Sequence, residues 1–124
     1  MGEIIFPEES YKIIGICMEI HRILGKGLSE VVYKDALEYE FNCNKVPFYR
    51  EKKYDVIYKD VILNHSFVAD FVIYDKIILE VKAIEKLIDT HKKQTLNYLG
   101  ITKKNLGLLV NFGEPSLKYE RIVL

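Results

Sequence analysis

The chain has 124 residues, of which 49% are hydrophobic and 29% are charged, with 18 basic and 18 acidic side chains. This length and composition predict one domain, residues 1–124, that buries a core of its own. The formal net charge of zero argues against strong non-specific attraction to nucleic acid. No apolar run has the length of a membrane span or the form of a signal peptide, so we expect a cytoplasmic protein without membrane contact. Its two cysteines, Cys17 and Cys43, are expected to be reduced thiols.

Two helices are predicted first in the chain. Hydrophobic residues recur at helical spacing from Ser10 to Leu24, and Gly25 ends that pattern. A short turn leads to a second helix from Leu28 to Asn44, whose inward-facing residues are expected to be Val32, Ala36, Leu37 and Phe41.

Three strands are predicted next. The first covers Phe48–Tyr58, and Lys59-Asp60 turns into a second strand that runs on towards Tyr74. The third covers Ile77–Ala83 and is apolar on both faces apart from two charges. That pattern is typical of a central strand covered by helices on both sides.

A third helix and two strands complete the chain. The helix begins at an Asp89 or Thr90 cap and ends before Gly100. Leu106–Phe112 is predicted as a buried strand and Leu117–Val123 as a peripheral one. The order α-α-β-β-β-α-β-β, with a helical crossover between strands three and four, predicts an α/β (α+β) fold. We expect a mixed central β-sheet flanked by helices, with the first two helices on one side.

Three charged side chains lie inside these apolar strands: Asp70, Glu80 and Lys82. Charges are rarely buried unless they are paired, hydrogen-bonded or bound to a metal. Two carboxylates can hold a hard cation such as Mg²⁺, which activates water and neutralises charge developing on phosphorus. A lysine can orient the nucleophilic water or stabilise the transition state. The pattern therefore predicts metal-assisted phosphodiester hydrolysis. The alternative is a structural ion pair between Glu80 and Lys82, which share one face of a strand.

The two carboxylates can share a metal ion only in one hairpin register. A two-residue turn at Asp75-Lys76 would place Asp70 across from Val81, on the opposite face from Glu80. We therefore predict a three-residue connection or a bulge, which brings Asp70 opposite Glu80.

Polar residues on two predicted helices are candidates for the same site. Glu30 lies in the first turn of the second helix, where a carboxylate stabilises the helix dipole. Placed over the sheet, Glu30 would be a third acidic group, with Tyr33 one turn further on the same side. His91, Gln94 and Tyr98 share one face of the third helix. These three are either simple surface residues or hydrogen-bond donors to a phosphate backbone.

Several motifs occur in order along the chain. Residues 27–33 read G-L-S-E-V-V-Y. The later motifs are Ala36-Leu37, Tyr58-Lys59, Ala69-Asp70, Glu80-Val-Lys82-Ala83, Gln94-x-x-x-Tyr98-Leu99 and Gly107-Leu-Leu-Val-Asn-Phe-Gly113. From about residue 10 to residue 121 the chain resembles the GxxExxY protein family, a group placed in the PD-(D/E)xK nuclease superfamily. The Q-x-x-x-Y helix is similar to that of the RecB-like branch.

The resemblance implies a restriction-endonuclease-like fold and a set of site residues. Asp70, Glu80 and Lys82 correspond to the catalytic core, and Glu30 is the helix-borne acid. Gln94 and Tyr98 are implied as accessory residues, and Tyr33 and His91 are expected beside them for substrate positioning. The metal ligands are expected to be Asp70, Glu80, the backbone carbonyl of Val81, and Glu30 directly or through water.

The leading expectation is a Mg²⁺-dependent nuclease, with Mn²⁺ as a substitute, that acts on DNA in preference to RNA. Homodimerisation or a partner protein would supply specificity. Two alternatives stay open. One is a non-catalytic nucleic-acid-binding or assembly module that retains the nuclease fold, and the other is a structural metal site in a homodimer.

Overall fold

The computed structural model describes residues 5–124. Two helices come first, α1 (Pro7–Leu24) and α2 (Glu30–Cys43). The elements that follow are β1 (Phe48–Tyr54), β2 (Ile57–Tyr58), β3 (Val61–Ile62), β4 (Phe67–Ile73), β5 (Ile77–Lys82), α3 (Asp89–Thr102), β6 (Leu106–Asn111) and β7 (Lys118–Val123). Over residues 5–124, the helices are all too short or too polar to cross a membrane.

One five-stranded sheet, in the order β1-β4-β5-β6-β7, forms the centre of the molecule. Strands β5 and β6 are parallel, and every other neighbouring pair is antiparallel. The main core lies between α1, α2 and one sheet face and includes Ile13, Ile20, Leu37, Phe41, Phe71, Leu79 and Leu108. On the other face, Leu99 of α3 packs with Ala69, Val72 and Ile78. The predicted mixed sheet flanked by helices, with α1 and α2 on one side, is confirmed.

The segment between β1 and β4 differs from the prediction. The expected strand Phe48–Tyr58 stops at Tyr54, because Asp55 favours irregular backbone over a strand. A separate two-stranded sheet, β2 and β3, follows. The expected second strand is interrupted between Ile62 and Phe67 by the polar residues Asn64, His65 and Ser66. The predicted element order is therefore right except for this small added hairpin.

Helix α3 begins and ends at residues other than those predicted. Its N-cap is Ile88, whose backbone N–H donates to Nδ1 of His91 at 3.1 Å, so neither Asp89 nor Thr90 is the cap. The helix continues through Gly100, where an added Cβ would have no neighbour within 4 Å. It ends at Thr102, and the C-cap residue Lys103 donates its N–H to the carbonyl of Leu99 at 2.9 Å and has a left-handed backbone (φ 63°) that stops the helix.

The β4–β5 hairpin has the predicted connection of three residues. Ile73 pairs with Ile77, which leaves residues 74–76 in the turn. Tyr74 and Asp75 both adopt positive φ, at 57° and 56°. The last pair in the ladder is Phe71 with Leu79, so the same register continued by one residue sets Asp70 across from Glu80.

A close contact fixes the chain just beyond β5. A Cβ on Gly113 would lie 2.2 Å from the carbonyl oxygen of Ile84 and 2.4 Å from its nitrogen. Buried Asn111 reinforces the contact, because its Oδ1 accepts the N–H groups of Ile84 and Gly113, both at 3.0 Å. Residues 83 and 84, which follow Lys82 directly, are therefore held by the end of β6.

We expect Gly113→Ala to lower the free energy of unfolding by about 2–3 kcal/mol, because backbone atoms cannot yield to the added methyl group. Gly100→Ala is the matched control: it lies inside α3 in open space and should stabilise the protein by up to ~1 kcal/mol. Urea denaturation of both variants measures the difference. Equal effects from the two substitutions would contradict this account.

Candidate active site

The carboxylates of Asp70 and Glu80 meet where the β4–β5 ladder stops. Oδ2 of Asp70 accepts the backbone N–H of Val81 at 2.8 Å. Oε2 of Glu80 accepts the backbone N–H of Asp70 at 3.1 Å. Each carboxylate thus takes the place of a backbone carbonyl on the facing strand, and the two acidic groups lie in one site.

Glu80 is 5% exposed, the most enclosed acid of the site. Burial raises the pKa of Glu80 to about 8, and repulsion from Asp70 adds to the effect, whereas the N–H of Asp70 opposes it. At neutral pH the metal-free protein therefore holds a proton on Glu80. A bound cation favours the charged carboxylate and would release that proton.

The raised pKa of Glu80 predicts a pH-dependent stability. The ordinary pKa is 4.5 and the folded value about 8, so between them the folded state holds a proton that the unfolded chain has lost. The free energy of unfolding of the metal-free protein should therefore fall as pH rises from about 5 to 8. Glu80→Gln, which cannot ionise, should remove that part of the slope, and denaturation at several pH values measures the difference. Parallel pH curves for the two proteins would contradict the assignment.

Lys82 ends β5 at the edge of the same site and is half-buried. Among residues 5–124 no acidic side chain pairs with it, so the structural ion pair with Glu80 does not form in the structure. Its positive charge nevertheless acts to lower the pKa of both Glu80 and Glu30. Lys82 therefore places a positive charge near Glu80 and Glu30, and its ammonium makes no ion pair with an acid among residues 5–124.

A second lysine, which sequence reasoning missed, enters the site from α2. Nζ of Lys34 donates to Oδ1 of Asp70 at 2.9 Å and also to Glu51 of β1. Burial acts to lower the pKa of Lys34, but the hydrogen bonds to Glu51 and Asp70 outweigh it and hold that pKa above its ordinary value. The ammonium is therefore charged.

The sequence did carry a signal for Lys34. It lies three and seven residues before the buried Leu37 and Phe41, so it continues their apolar stripe. Val32, which was expected to face inward, is 38% exposed, because α2 is rotated to bring Lys34 and Tyr33 under the sheet. For Glu51 no sequence signal exists, since its position depends on a left-handed backbone (φ 58°) within β1.

Glu30 is the first residue of α2 and lies at the exposed rim of the site. Partial burial raises the pKa of Glu30, and the charge of Asp70 adds to that shift. Tyr33, expected to position a substrate, is instead completely buried. Its hydroxyl donates to the carbonyl of Gly25 at 2.6 Å, and its ring stacks on Phe112 at 4.5 Å. The physical role of Tyr33 is to hold the turn before α2.

Helix α3 brings one of its three candidates close to the carboxylates. Tyr98 stacks on Phe67 of β4, with 4.0 Å between ring centroids. Burial raises the pKa of Tyr98, and the charges of Glu80 and Asp70 raise it further. Gln94 is exposed one turn earlier. The ring of His91 is occupied in capping α3.

The donor set fits a hard divalent cation. Over residues 5–124, no three His, Cys, Asp or Glu side chains converge in the arrangement of an all-side-chain metal site. Asp70 and Glu80 do converge, and Mg²⁺ commonly takes one or two carboxylates and fills its other positions with water and substrate phosphate.

Comparison with known proteins assigns the family. The sequence profile described as the PD-(D/E)XK nuclease superfamily matches residues 7–122. The chain belongs to that superfamily. PD-(D/E)XK nucleases generally use divalent metals. Asp70, Glu80 and Lys82 stand in the order that gives the superfamily its name.

A solved structure of similar fold supports the architecture. The chain resembles the crystal structure of SSO0001 with a TM-score of 0.60 and 22% sequence identity. The likeness covers 94% of this chain and 59% of that one, so the chain spans little more than half the length of that protein. This likeness shows that the chain has a restriction-endonuclease-like fold. No curated protein matches the chain.

Proposed function

We propose that this PD-(D/E)XK protein is a divalent-metal-dependent nuclease that hydrolyses phosphodiester bonds of DNA. The observation that carries the proposal is the meeting of the Asp70 and Glu80 carboxylates beyond the β4–β5 ladder. A structural purpose alone does not account for two acids in this position, because burial raises the pKa of Glu80 to about 8 and an ionised pair is therefore costly to bury there.

The proposed role of each residue follows from its position in the site. Mg²⁺, or Mn²⁺ in its place, would be held by Asp70, Glu80 and the carbonyl of Val81, and Glu30 at the rim would act through water. The cation, when bound, lowers the pKa of water and offsets negative charge on the phosphate. Lys82, which has no acidic partner among the described residues, is available to donate to the phosphate oxygens as charge develops.

Helix α3 supplies the substrate-facing side of the site. Gln94 offers an exposed amide, and Tyr98 offers a hydroxyl whose pKa is raised by burial and by the charges of Glu80 and Asp70. These two residues support the finer assignment to the GxxExxY family and to the Q-x-x-x-Y arrangement of the RecB-like branch. We place His91 at the start of this helix as a residue that sets its position.

The test is divalent-metal titration followed by incubation with single-stranded and double-stranded DNA. We expect cleavage that requires Mg²⁺ or Mn²⁺ and that chelation stops. The double variant Asp70→Ala, Glu80→Ala should lose both cleavage and Mn²⁺ binding measured by calorimetry. Equal Mn²⁺ affinity in the wild type and the double variant would refute the metal assignment. RNA offered in parallel decides the substrate class.

One observation favours a second candidate, a module that binds nucleic acid or assembles with other chains without catalysis. The formal net charge is zero, so the chain alone has little electrostatic attraction to a polyanion, and a second copy or a partner protein would have to supply it. Under this alternative, binding of DNA occurs without cleavage at any metal concentration. Binding that appears only with a second copy or a partner protein would identify where specificity comes from.

A further inference from the structure

Lys34 is the most enclosed cation in contact with the site. Its side chain is 9% exposed, and it reaches the carboxylate cluster from α2, one turn after Glu30. Lys82, by contrast, makes no ion pair with the described acids. Oδ1 of Asp70 accepts from Lys34 and Oδ2 accepts the N–H of Val81, so a metal can use only the remaining lone pairs of the carboxylate.

The two acceptors of Lys34 differ in position and exposure. The side chain of Asp70 is 17% exposed and belongs to the proposed metal site. That of Glu51 is 53% exposed and projects from β1, outside the Asp70–Glu80 pair. Lys34 can therefore give up Asp70 and stay neutralised by Glu51, which a lysine with a single acceptor could not do.

We propose that Lys34 is the resident counter-ion of the metal site and competes with divalent cations for Asp70. In the metal-free protein Lys34 neutralises Asp70 and keeps the site folded. When a metal binds, the ammonium of Lys34 would release Asp70 and keep its existing bond to Glu51. The inference rests on the proposed function only in taking Asp70 and Glu80 as metal ligands. Lys34 would set the metal affinity of that site whether or not DNA is cleaved.

The direct test is Mn²⁺ binding by calorimetry, without nucleic acid. We expect Lys34→Met to bind Mn²⁺ about tenfold more tightly or better, because a like charge in contact with the ligand oxygen is gone. Lys34→Arg keeps the charge and should bind as the wild type does. Lys82→Met removes an equal charge from the same neighbourhood without breaking a bond to Asp70, so its effect should be clearly smaller.

Melting temperature provides an independent readout. Without metal, Lys34→Met should melt below the wild type, because Asp70 and Glu51 lose their shared cation. Saturating Mn²⁺ should raise the melting temperature of Lys34→Met by more than that of the wild type. A simple structural lysine would lower stability equally with and without metal.

Glu51→Gln tests the second acceptor and decides the matter where Lys34→Met fails to fold. It should weaken Mn²⁺ binding severalfold, since an ammonium that releases Asp70 then keeps no carboxylate partner. Glu38→Gln is the matched control: Glu38 pairs with Arg50 across the same two elements and does not contact Lys34 in the described structure. Equal Mn²⁺ affinities of Glu51→Gln and Glu38→Gln would overturn the proposal.

Further outcomes also separate the two proposals. Unchanged or weaker Mn²⁺ binding by folded Lys34→Met overturns the counter-ion role. The absence of Mn²⁺ binding by both wild type and Lys34→Met overturns it too. Mn²⁺ binding with the expected order of affinities, in a protein that cleaves no DNA, refutes the nuclease proposal and supports this one.

Discussion

Asp70→Asn should reduce metal-dependent DNA cleavage by about 10³-fold or more, at the upper end of what loss of one preorganised charge costs. The substitution keeps the shape of the side chain and one oxygen to accept the N–H of Val81. It removes the charge that binds a cation. Single-turnover cleavage and Mn²⁺ calorimetry of the folded variant measure the loss.

The same variant should stay folded. Lys34 loses one carboxylate but keeps Glu51, so we expect a stability loss of about 1–3 kcal/mol, the usual cost of an imperfectly satisfied polar group. Asp75→Asn is the matched control in the turn of the same hairpin, where the exposed carboxylate lies 3.5 Å from Lys104. It should change stability by less than ~0.5 kcal/mol and leave cleavage intact. Wild-type cleavage by folded Asp70→Asn would remove Asp70 from the active site.

The fold class and the proximity of Asp70 to Glu80 could be predicted from the sequence because both follow from burial. Asp70 and Glu80 stand out only because their neighbours are apolar, and the requirement for one shared face was enough to predict the three-residue turn. The crossover between β5 and β6 followed from the intervening helix. These inferences depend on periodicity and on the cost of burying charge.

What the sequence could not supply depends on local backbone geometry. Glu51, which contacts Lys34, itself has a left-handed backbone with φ of 58°. That conformation is uncommon outside glycine and has no reliable sequence signature. The same holds for Lys103, whose left-handed backbone ends α3 beyond the glycine that was expected to end it. The prediction for Tyr33 is wrong because helical spacing places it on the side of Glu30, whereas the structure buries it, where its hydroxyl holds the turn before α2.

Lys82→Ala should leave stability almost unchanged while reducing turnover by about 10²-fold or more. The expectation follows from the contacts of Lys82. Since no described acid pairs with its ammonium, its removal leaves no carboxylate without a partner. Thermal melting and cleavage rates at saturating Mn²⁺ measure the two effects separately. Mn²⁺ binding itself should be retained or slightly tightened, because a positive charge near Glu80 is lost.

A purely structural role for Lys82 predicts the opposite result, a large loss of stability with a normal cleavage rate. If Lys82 were the partner that keeps Glu80 ionised, Lys82→Ala would cost about 3–5 kcal/mol, since it would leave a buried charge uncompensated. Cleavage by the molecules that stay folded would then be normal. Lys86→Ala, at an exposed lysine four residues further on, is the control for losing a positive charge near this edge of the sheet. A Lys82→Ala protein that melts far below both wild type and Lys86→Ala, yet cleaves DNA at the wild-type rate when folded, would exclude a catalytic role for Lys82. The free ammonium beside two carboxylates leads us to expect the reverse, a variant that is stable, binds Mn²⁺ and cleaves slowly.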